Sequence, residues 1–174
     1  GCDADKPNWK KMNFGALSLR QNKAAALGKE MLQYYDQLTH LFEDFGVASY
    51  VEIINRQEVR QRDGVEVLTF ALIIRPNNQN LFKFFSRVGY AYEKYKDNLT
   101  RLSAEYLRHK LHIIQLWQEK SQLVIAAVHD GGGVRETARQ FLVTPDFVAN
   151  QIRGKEAHLP RKEFVSVDAW KEKY

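Results

Sequence analysis

The chain has 174 residues, of which 44% are hydrophobic and 12% aromatic, and this predicts one domain of ordinary size with room for a small appendage. It has no apolar run long enough to cross a bilayer, so the sequence predicts a soluble protein without a membrane partner. A single cysteine, Cys2, excludes an internal disulfide and a Cys-x-x-Cys zinc site. With no signal-like opening segment, we expect an intracellular protein, cytoplasmic or nucleoid-associated. The net charge of +5 suits a polyanionic partner and equally an ordinary, mildly basic protein.

The first third of the chain predicts a strand followed by a helix. Residues 13–21 alternate apolar and polar side chains, which is typical of a strand. Asn22 is the predicted N-cap of a helix that ends at Gly46. The apolar residues of this helix recur at helical spacing: Leu27, Met31, Tyr34, Leu38, Leu41 and Phe45. We interpret it as a packing helix.

Residues 47–75 predict two strands joined by a two-residue turn at Asp63-Gly64. Alternation gives an apolar core face with Val51, Ile53, Val59, Leu68, Phe70, Leu72 and Ile74. The opposite face carries Ile54, Arg56, Glu58, Arg60, Arg62, Thr69 and Arg75. A twisted, arginine-rich ribbon has the shape and charge to lie in a DNA major groove, and the alternative is a solvated sheet face. The predicted DNA-binding residues are Arg20, Arg56, Arg60, Arg62, Thr69 and Arg75.

Two further helices are predicted over residues 80–88 and 97–129, and their apolar stripes are interpreted as core. A break at Gly131-Gly132-Gly133 follows. Residues 134–148 then resemble a helix-turn-helix, in which Ala138 fits a tight helix crossing and Thr144-Pro145 starts a recognition helix. Leu142 stands where glycine is usual. The alternative is an ordinary helical hairpin that packs on the core.

Two separated motifs carry a resemblance to a known family. Asp3-Ala4-Asp5 is similar to the end of the LAGLIDADG signature, and residues 80–96 are similar to the family segment that leads to its active-site lysine. The chain thus resembles the C-terminal half of a LAGLIDADG homing endonuclease of the intein type. The resemblance implies an α+β fold, with an antiparallel DNA-binding sheet backed by helices. It divides the chain into an endonuclease half, 1–130, and a helix-turn-helix-like subdomain, 131–174.

The resemblance also implies a reaction and the residues that perform it. Asp5 would bind Mg²⁺ and act in catalysis, and Lys96 or, as second choice, Lys94 would take the place of the active-site lysine. Hydrolysis of double-stranded DNA by Mg²⁺ fits oxygen ligands of this kind. The partners would be DNA and a second LAGLIDADG half, either an upstream segment or another copy. Lys6 departs from the family, which has glycine at that position.

Two alternatives to an endonuclease remain open at this point. A non-cleaving DNA-binding regulator with a degenerate LAGLIDADG domain and a helix-turn-helix would explain Lys6 and the incomplete signature. An RNA-folding or interaction protein would use the same basic sheet. Dependence of cleavage on Asp5 is the feature that separates the first reading from the others.

Overall fold

The structure is a computed structural model that describes residues 17–90 and 94–155, without the side chains of residues 55–58 and 95. The strands are β1 (Leu17–Ala24), β2 (Ser49–Val59) and β3 (Glu66–Ile74). The helices are α1 (Gly28–Asp44), α2 (Asn78–Arg87), α3 (Lys94–His129), α4 (Val134–Gln140) and α5 (Pro145–Ile152), and a 3₁₀ turn (Ala25–Leu27) precedes α1. No helix among the described residues is long and apolar enough to span a membrane.

The described residues divide into two compact units, and the division falls inside α3. Residues up to Leu107 belong to the first unit and those from Arg108 belong to the second. The sequence placed a boundary at residue 130, after the long helix, because the three glycines mark the clearest break in the pattern. The second unit instead includes the C-terminal part of α3, whose side chains form a core with α4 and α5.

The first unit is built on an antiparallel sheet with strand order β1-β3-β2. Its core face is the predicted one, since Phe70, Leu72 and Ile74 of the central strand are buried. Helix α1 covers this face: the ring of Tyr35 lies 6.3 Å from that of Phe70, and the Tyr35 hydroxyl donates a hydrogen bond to the Leu19 carbonyl at 3.3 Å. Val59, also predicted to be core, is 62% exposed because it lies at the loop end of the hairpin, where it pairs with Glu66.

Strand β1 is longer at its C-terminal end than the sequence suggests. Asn22 pairs with Thr69 across the β1–β3 ladder, and its side-chain oxygen accepts a hydrogen bond from Thr69 Oγ1 at 3.0 Å. The prediction of Asn22 as a helix N-cap is therefore wrong. Pairing with β3 holds this segment extended, so α1 starts at Gly28.

The hairpin is present, but its connection is longer than two residues. The last paired residues are Val59 and Glu66, and the Arg60 amide donates to the Val65 carbonyl at 2.9 Å. Gly64 has a φ of +67°, which glycine adopts without strain. Register shifts also interrupt β2 between Ile53 and Asn55 and between Asn55 and Glu58. The predicted two-residue turn is wrong, and the alternation extrapolated from it fails near the tip.

A buried amide joins α2 to the sheet. The Asn77 side chain caps α2 by accepting a hydrogen bond from the Asn80 amide at 2.8 Å. Asn80 Oδ1 accepts from the Ala48 amide at 2.7 Å, and Asn80 Nδ2 donates to the carbonyls of Ala48 at 2.8 Å and Arg75 at 2.9 Å. The Asn80 side chain therefore ties together the chain before β2, the chain after β3 and the start of α2.

Candidate nucleic-acid interface

Helices α4 and α5 form a helix-turn-helix arrangement around a four-residue turn, residues 141–144. Leu142 in this turn has a φ of +51° and is 88% exposed. It is the one non-glycine residue with positive φ in the described part of the chain. Glycine is the usual residue in that conformation. Leu142 thus adopts the turn geometry that its position in the motif requires, despite its side chain.

The start of α5 is as predicted. Thr144 Oγ1 accepts a hydrogen bond from the Phe147 amide at 3.1 Å, and Pro145 occupies the first turn. A threonine cap satisfies one of the unpaired amides at a helix N-terminus, and proline there loses no hydrogen bond. The direction in which α5 leaves the turn is fixed by these two residues.

Three small or branched side chains at the centre of the second unit hold the helices together. Val124 of α3, Ala138 of α4 and Val148 of α5 are all buried. Partly buried hydrophobic residues surround them: Val128, Val134, Phe141, Val143 and Phe147. Ala138 is buried where the sequence places the helix crossing, and its small side chain suits a close approach of the helices.

A polar contact fixes the rotation of α5 against α3. The buried side chains of Ser121 and Gln151 form a hydrogen bond, and the ring of Trp117 meets that of Phe147 edge to face at 5.3 Å. Since Gln151 and Phe147 point inward, the opposite side of α5 faces outward. That side carries exposed Asp146 and half-buried Ala149, with half-buried Asn150 at its edge, and is followed by exposed Arg153.

The outward side of α4 and α5 has an excess of positive charge. The exposed cations between residues 134 and 155 are Arg135, Arg139, Arg153 and Lys155. The acidic residues in the same segment are Glu136 and Asp146. The sequence located this motif but assigned none of these residues to a site. The positions of these cations relative to Ala138 and Leu142 could have identified them in the sequence, because those two residues tell the outward face of each helix from its buried face.

The connection from α3 to α4 depends on one of its three glycines. A Cβ atom on Gly132 would lie 2.7 Å from the Ala127 carbonyl oxygen and 3.0 Å from Thr137 Oγ1. The Ala127 carbonyl belongs to the backbone of the last turn of α3, so moving it aside would distort the helix. We expect Gly132→Ala to destabilise the second unit by about 1–3 kcal/mol, the usual cost of overpacking, as measured by urea unfolding followed through the amide signals of α4 and α5.

Gly133→Ala is the matched control for that substitution. Gly133 has a φ of −69°, and a Cβ atom there meets nothing within 4 Å. Its variant should unfold within about 1 kcal/mol of the parent protein. Equal destabilisation by the two substitutions would contradict the close approach at Gly132.

The sheet residues predicted to bind DNA whose side chains the structure describes lie in different surroundings. Arg20 and Thr69 lie on the face opposite α1, where Arg20 Nε donates to Ser18 Oγ at 3.1 Å. Arg20 and Glu52 both pair with Ala71, one from each side. Cross-strand pairs share a face, so an acid accompanies Arg20 on this surface. The predicted arginine-rich face therefore also includes Glu52 in this part of the sheet, and the DNA contact of its residues stays a prediction.

The remaining arginines of the set are distributed around the sheet. Arg60 pairs with Asp63 inside the hairpin loop, an interaction that raises the pKa of Arg60 and lowers that of Asp63, in both cases chiefly through the hydrogen bond between them. Arg62 is exposed in the same loop. Arg75 follows β3, with its guanidinium carbon 5.6 Å from the centre of the Tyr50 ring. The side chain of Arg56 lies outside the described residues.

The predicted catalytic group is only partly described. Lys94 and Lys96 begin α3 and are exposed, and Lys96 Nζ lies 5.8 Å from the centre of the Tyr90 ring. Asp5 lies outside the described residues, so its role as a ligand of Mg²⁺ stays a prediction. Within 17–90 and 94–155, no group of three or more histidine, cysteine, aspartate or glutamate residues is placed to hold a metal ion.

Comparisons with known proteins add one similarity. No family model matches the chain, and no solved structure matches it. Over 174 aligned residues the chain is 32% identical to the replication factor C small subunit of Methanocaldococcus jannaschii. The alignment covers 99% of this chain but only 9% of that protein, which puts the length of the relative at roughly 1,900 residues.

This finding corrects the interpretation drawn from the sequence motifs. The relative is named as a replication protein, so the identification as an intein-type LAGLIDADG homing endonuclease is wrong by this comparison. The predicted DNA cleavage, the second LAGLIDADG half and the alternative of a non-cleaving regulator are corrected with it. Asp-Ala-Asp and an aromatic, lysine-containing helix start are short patterns that arise in unrelated chains. Nearly the whole chain is similar to a short part of a very long replication factor C small subunit.

Proposed function

We propose that this chain is a double-stranded DNA-binding region of a longer, replication-associated polypeptide, and that α4 and α5 make the contact. The observation that carries the proposal is the crossing of these helices at buried Ala138 and Val148, joined through the left-handed turn residue Leu142. In proteins with this geometry the second helix enters the major groove and the first crosses the backbone.

The outward side chains supply the chemistry for such a contact. The amide of Asn150 can pair with the edge of an adenine, which presents one acceptor and one donor in the major groove. Arg153, at the end of α5, and Arg135 and Arg139 of α4 are exposed and can reach phosphates. Phosphate contacts position a protein on DNA, while base contacts select the sequence.

The similarity to a replication protein supports a nucleic-acid partner. A polypeptide of roughly 1,900 residues must contain many domains, since domains commonly have about 50–250 residues. The name of the relative describes the whole polypeptide, and this chain corresponds to one region of it. We therefore propose for this region the binding of DNA, and assembly with another subunit, rather than the whole activity of the relative.

The experiment begins with selection of bound duplexes from a randomised library by the full chain, followed by fluorescence anisotropy on a selected and a shuffled duplex. Asn150→Ala should reduce the preference for the selected duplex by roughly 5-fold to 150-fold, the range for one bidentate base contact. Arg135→Ala and Arg139→Ala should weaken binding to both duplexes and lower the salt dependence by about one counterion each.

Two controls separate this surface from others. Gln122→Ala removes an exposed amide of α3 outside the motif and should leave binding unchanged. Arg20→Ala tests the sheet, which stays a second candidate surface through Arg20, Thr69 and Arg75. Loss of binding with Arg20→Ala but not with the α4 and α5 variants would move the contact to the sheet, and a library without enrichment would contradict selective binding. If Mg²⁺ strengthens DNA binding by the parent chain but not by the Asp5→Asn variant, Asp5 would be established as the predicted metal ligand.

A further inference from the structure

Helix α1 has two apolar stripes, and the sheet covers only one of them. The buried stripe consists of Met31, Tyr35 and Phe42. Beside it, four large side chains stay open to solvent along the helix and its two caps: Leu27 is 51% exposed, Tyr34 47%, Leu41 50% and Phe45 41%. We call these four residues the open stripe.

The spacing of the open stripe is that of a helix-pairing seam. Leu27, Tyr34 and Leu41 are seven residues apart, and Leu38 and Phe45 fill alternate positions of the same repeat. Met31, at the remaining alternate position, belongs to the buried stripe. Apolar residues separated alternately by four and three positions form the contact line between two paired helices. The sheet and α2, whose Phe84 ring lies 6.1 Å from that of Phe42, already cover the apolar side of α1 that carries Tyr35 and Phe42. The open stripe is additional to that covered side.

The edge of the open stripe is acidic, in a chain whose net charge is +5. Glu30, Gln37 and Asp44 follow the stripe at the same seven-residue interval, and α1 as a whole has four carboxylates against one lysine. Lys83 and Arg87 lie near Gly46, at the C-terminal end of α1, where cations favour the helix dipole. The acidic edge formed by Glu30 and Asp44 repels nucleic acid, so this surface is distinct from the proposed DNA contact.

Carboxylates of α1 also affect the pKa of His40. The pKa of its exposed side chain is raised, first by a hydrogen bond with the Asp36 carbonyl and then by the carboxylates of Asp36, Glu43 and Asp44. Each of these groups lies on α1. Three carboxylates of one helix thus act together on this histidine.

We propose that the open stripe is a docking surface for a basic amphipathic helix of a partner protein, whose apolar side would cover Leu27, Tyr34, Leu41 and Phe45 and whose cations would face Glu30 and Asp44. Charges at the edges of a helix pair select the partner. A second copy of this chain would place the same acidic edge against itself, which disfavours self-pairing. This interface is independent of the DNA contact and extends beyond it.

The test uses two synthetic helical peptides with leucine at every seam position and with either lysine or glutamate at the flanking positions. Isothermal titration with the full chain should show the lysine peptide binding at least about tenfold more tightly than the glutamate peptide. Leu41→Ser should weaken that binding roughly tenfold, as truncation of a central contact residue does. The matched control is Leu123→Ser, because Leu123 is equally exposed but lies on α3.

Charge reversal makes the test specific. The double variant Glu30→Lys with Asp44→Lys should reverse the preference toward the glutamate peptide, with unchanged helical circular dichroism. Equal binding of both peptides, or equal weakening by Leu41→Ser and Leu123→Ser, would overturn the proposal. So would a dimer of the chain alone that Leu41→Ser dissociates in sedimentation experiments, since the occupant would then be a second copy.

Discussion

Replacing Phe70 with alanine is expected to lower the free energy of unfolding of the first unit by about 3–5 kcal/mol, the usual cost of truncating a buried aromatic side chain. Phe70 has no exposed surface and sits at the centre of β3, between the two outer strands. Its ring meets Tyr35, and Gly28 also brings the start of α1 close to it. The substitution therefore leaves a cavity between α1 and the sheet. The side chains around it belong to both elements, and they cannot all move inward to fill it.

Urea unfolding monitored through the amide signals of β3 measures this loss without interference from the second unit. Val59→Ala is the control in the same sheet, since Val59 is 62% exposed, and it should change stability by less than about 1 kcal/mol. A loss below about 1.5 kcal/mol for Phe70→Ala would mean that α1 does not close the core over the Phe70 ring.

Replacing Asn80 with alanine should destabilise the first unit by about 2–4 kcal/mol, because three backbone groups lose a partner inside the protein. This side chain accepts a hydrogen bond from the Ala48 amide and donates to the carbonyls of Ala48 and Arg75. The two carbonyls also accept from the Arg75 and Asn77 amides, so the Ala48 amide is the group most affected by the substitution. Buried backbone groups without partners cost more than the hydrogen bonds themselves contribute. The measurement is the urea midpoint of the same β3 signals.

Two further variants divide that effect into its parts. Asn80→Asp keeps the oxygen that accepts from the Ala48 amide but replaces the donor to the two carbonyls, so it should recover only a minor part of the loss. Gln79→Ala, one position earlier in α2 and exposed, should be close to neutral. If Asn80→Asp were as stable as the parent protein, the hydrogen bonds from Asn80 Nδ2 would contribute nothing to stability, and the role predicted for this amide would be wrong.

The sequence predicts those elements in which local pattern and tertiary packing agree. The hairpin, the helix after it, and the capped start of α5 at Thr144 follow from alternation, periodicity and capping chemistry. Asn22 misleads because its side chain suits a helix cap equally well, and only pairing with Thr69 decides for the strand. The turn at Gly64 misleads because a dipeptide fixes the positive φ but not the number of residues in the loop.

Candidate binding residues could be predicted only where the helix or strand that carries them was itself predicted correctly. The outward face of α5 follows once Ala138 and Val148 are known to be inside. The positions of the sheet arginines could not be predicted in this way. Arg60 turns to its loop neighbour Asp63, and the register shifts in β2 break the simple alternation. The acidic partner beside Arg20 comes from Glu52, a residue far away in sequence that only the three-strand register brings across from it.

The irregular ladder of β2 has a consequence for how the protein behaves at high concentration. Among the described strands, β2 lies at an edge of the sheet, and a flat, exposed edge invites strand addition from another molecule. Two register shifts within eleven residues twist and interrupt the row of free backbone groups that such addition needs. A variant in which these shifts are removed would form a more regular hairpin and, by the same change, a template for fibrils.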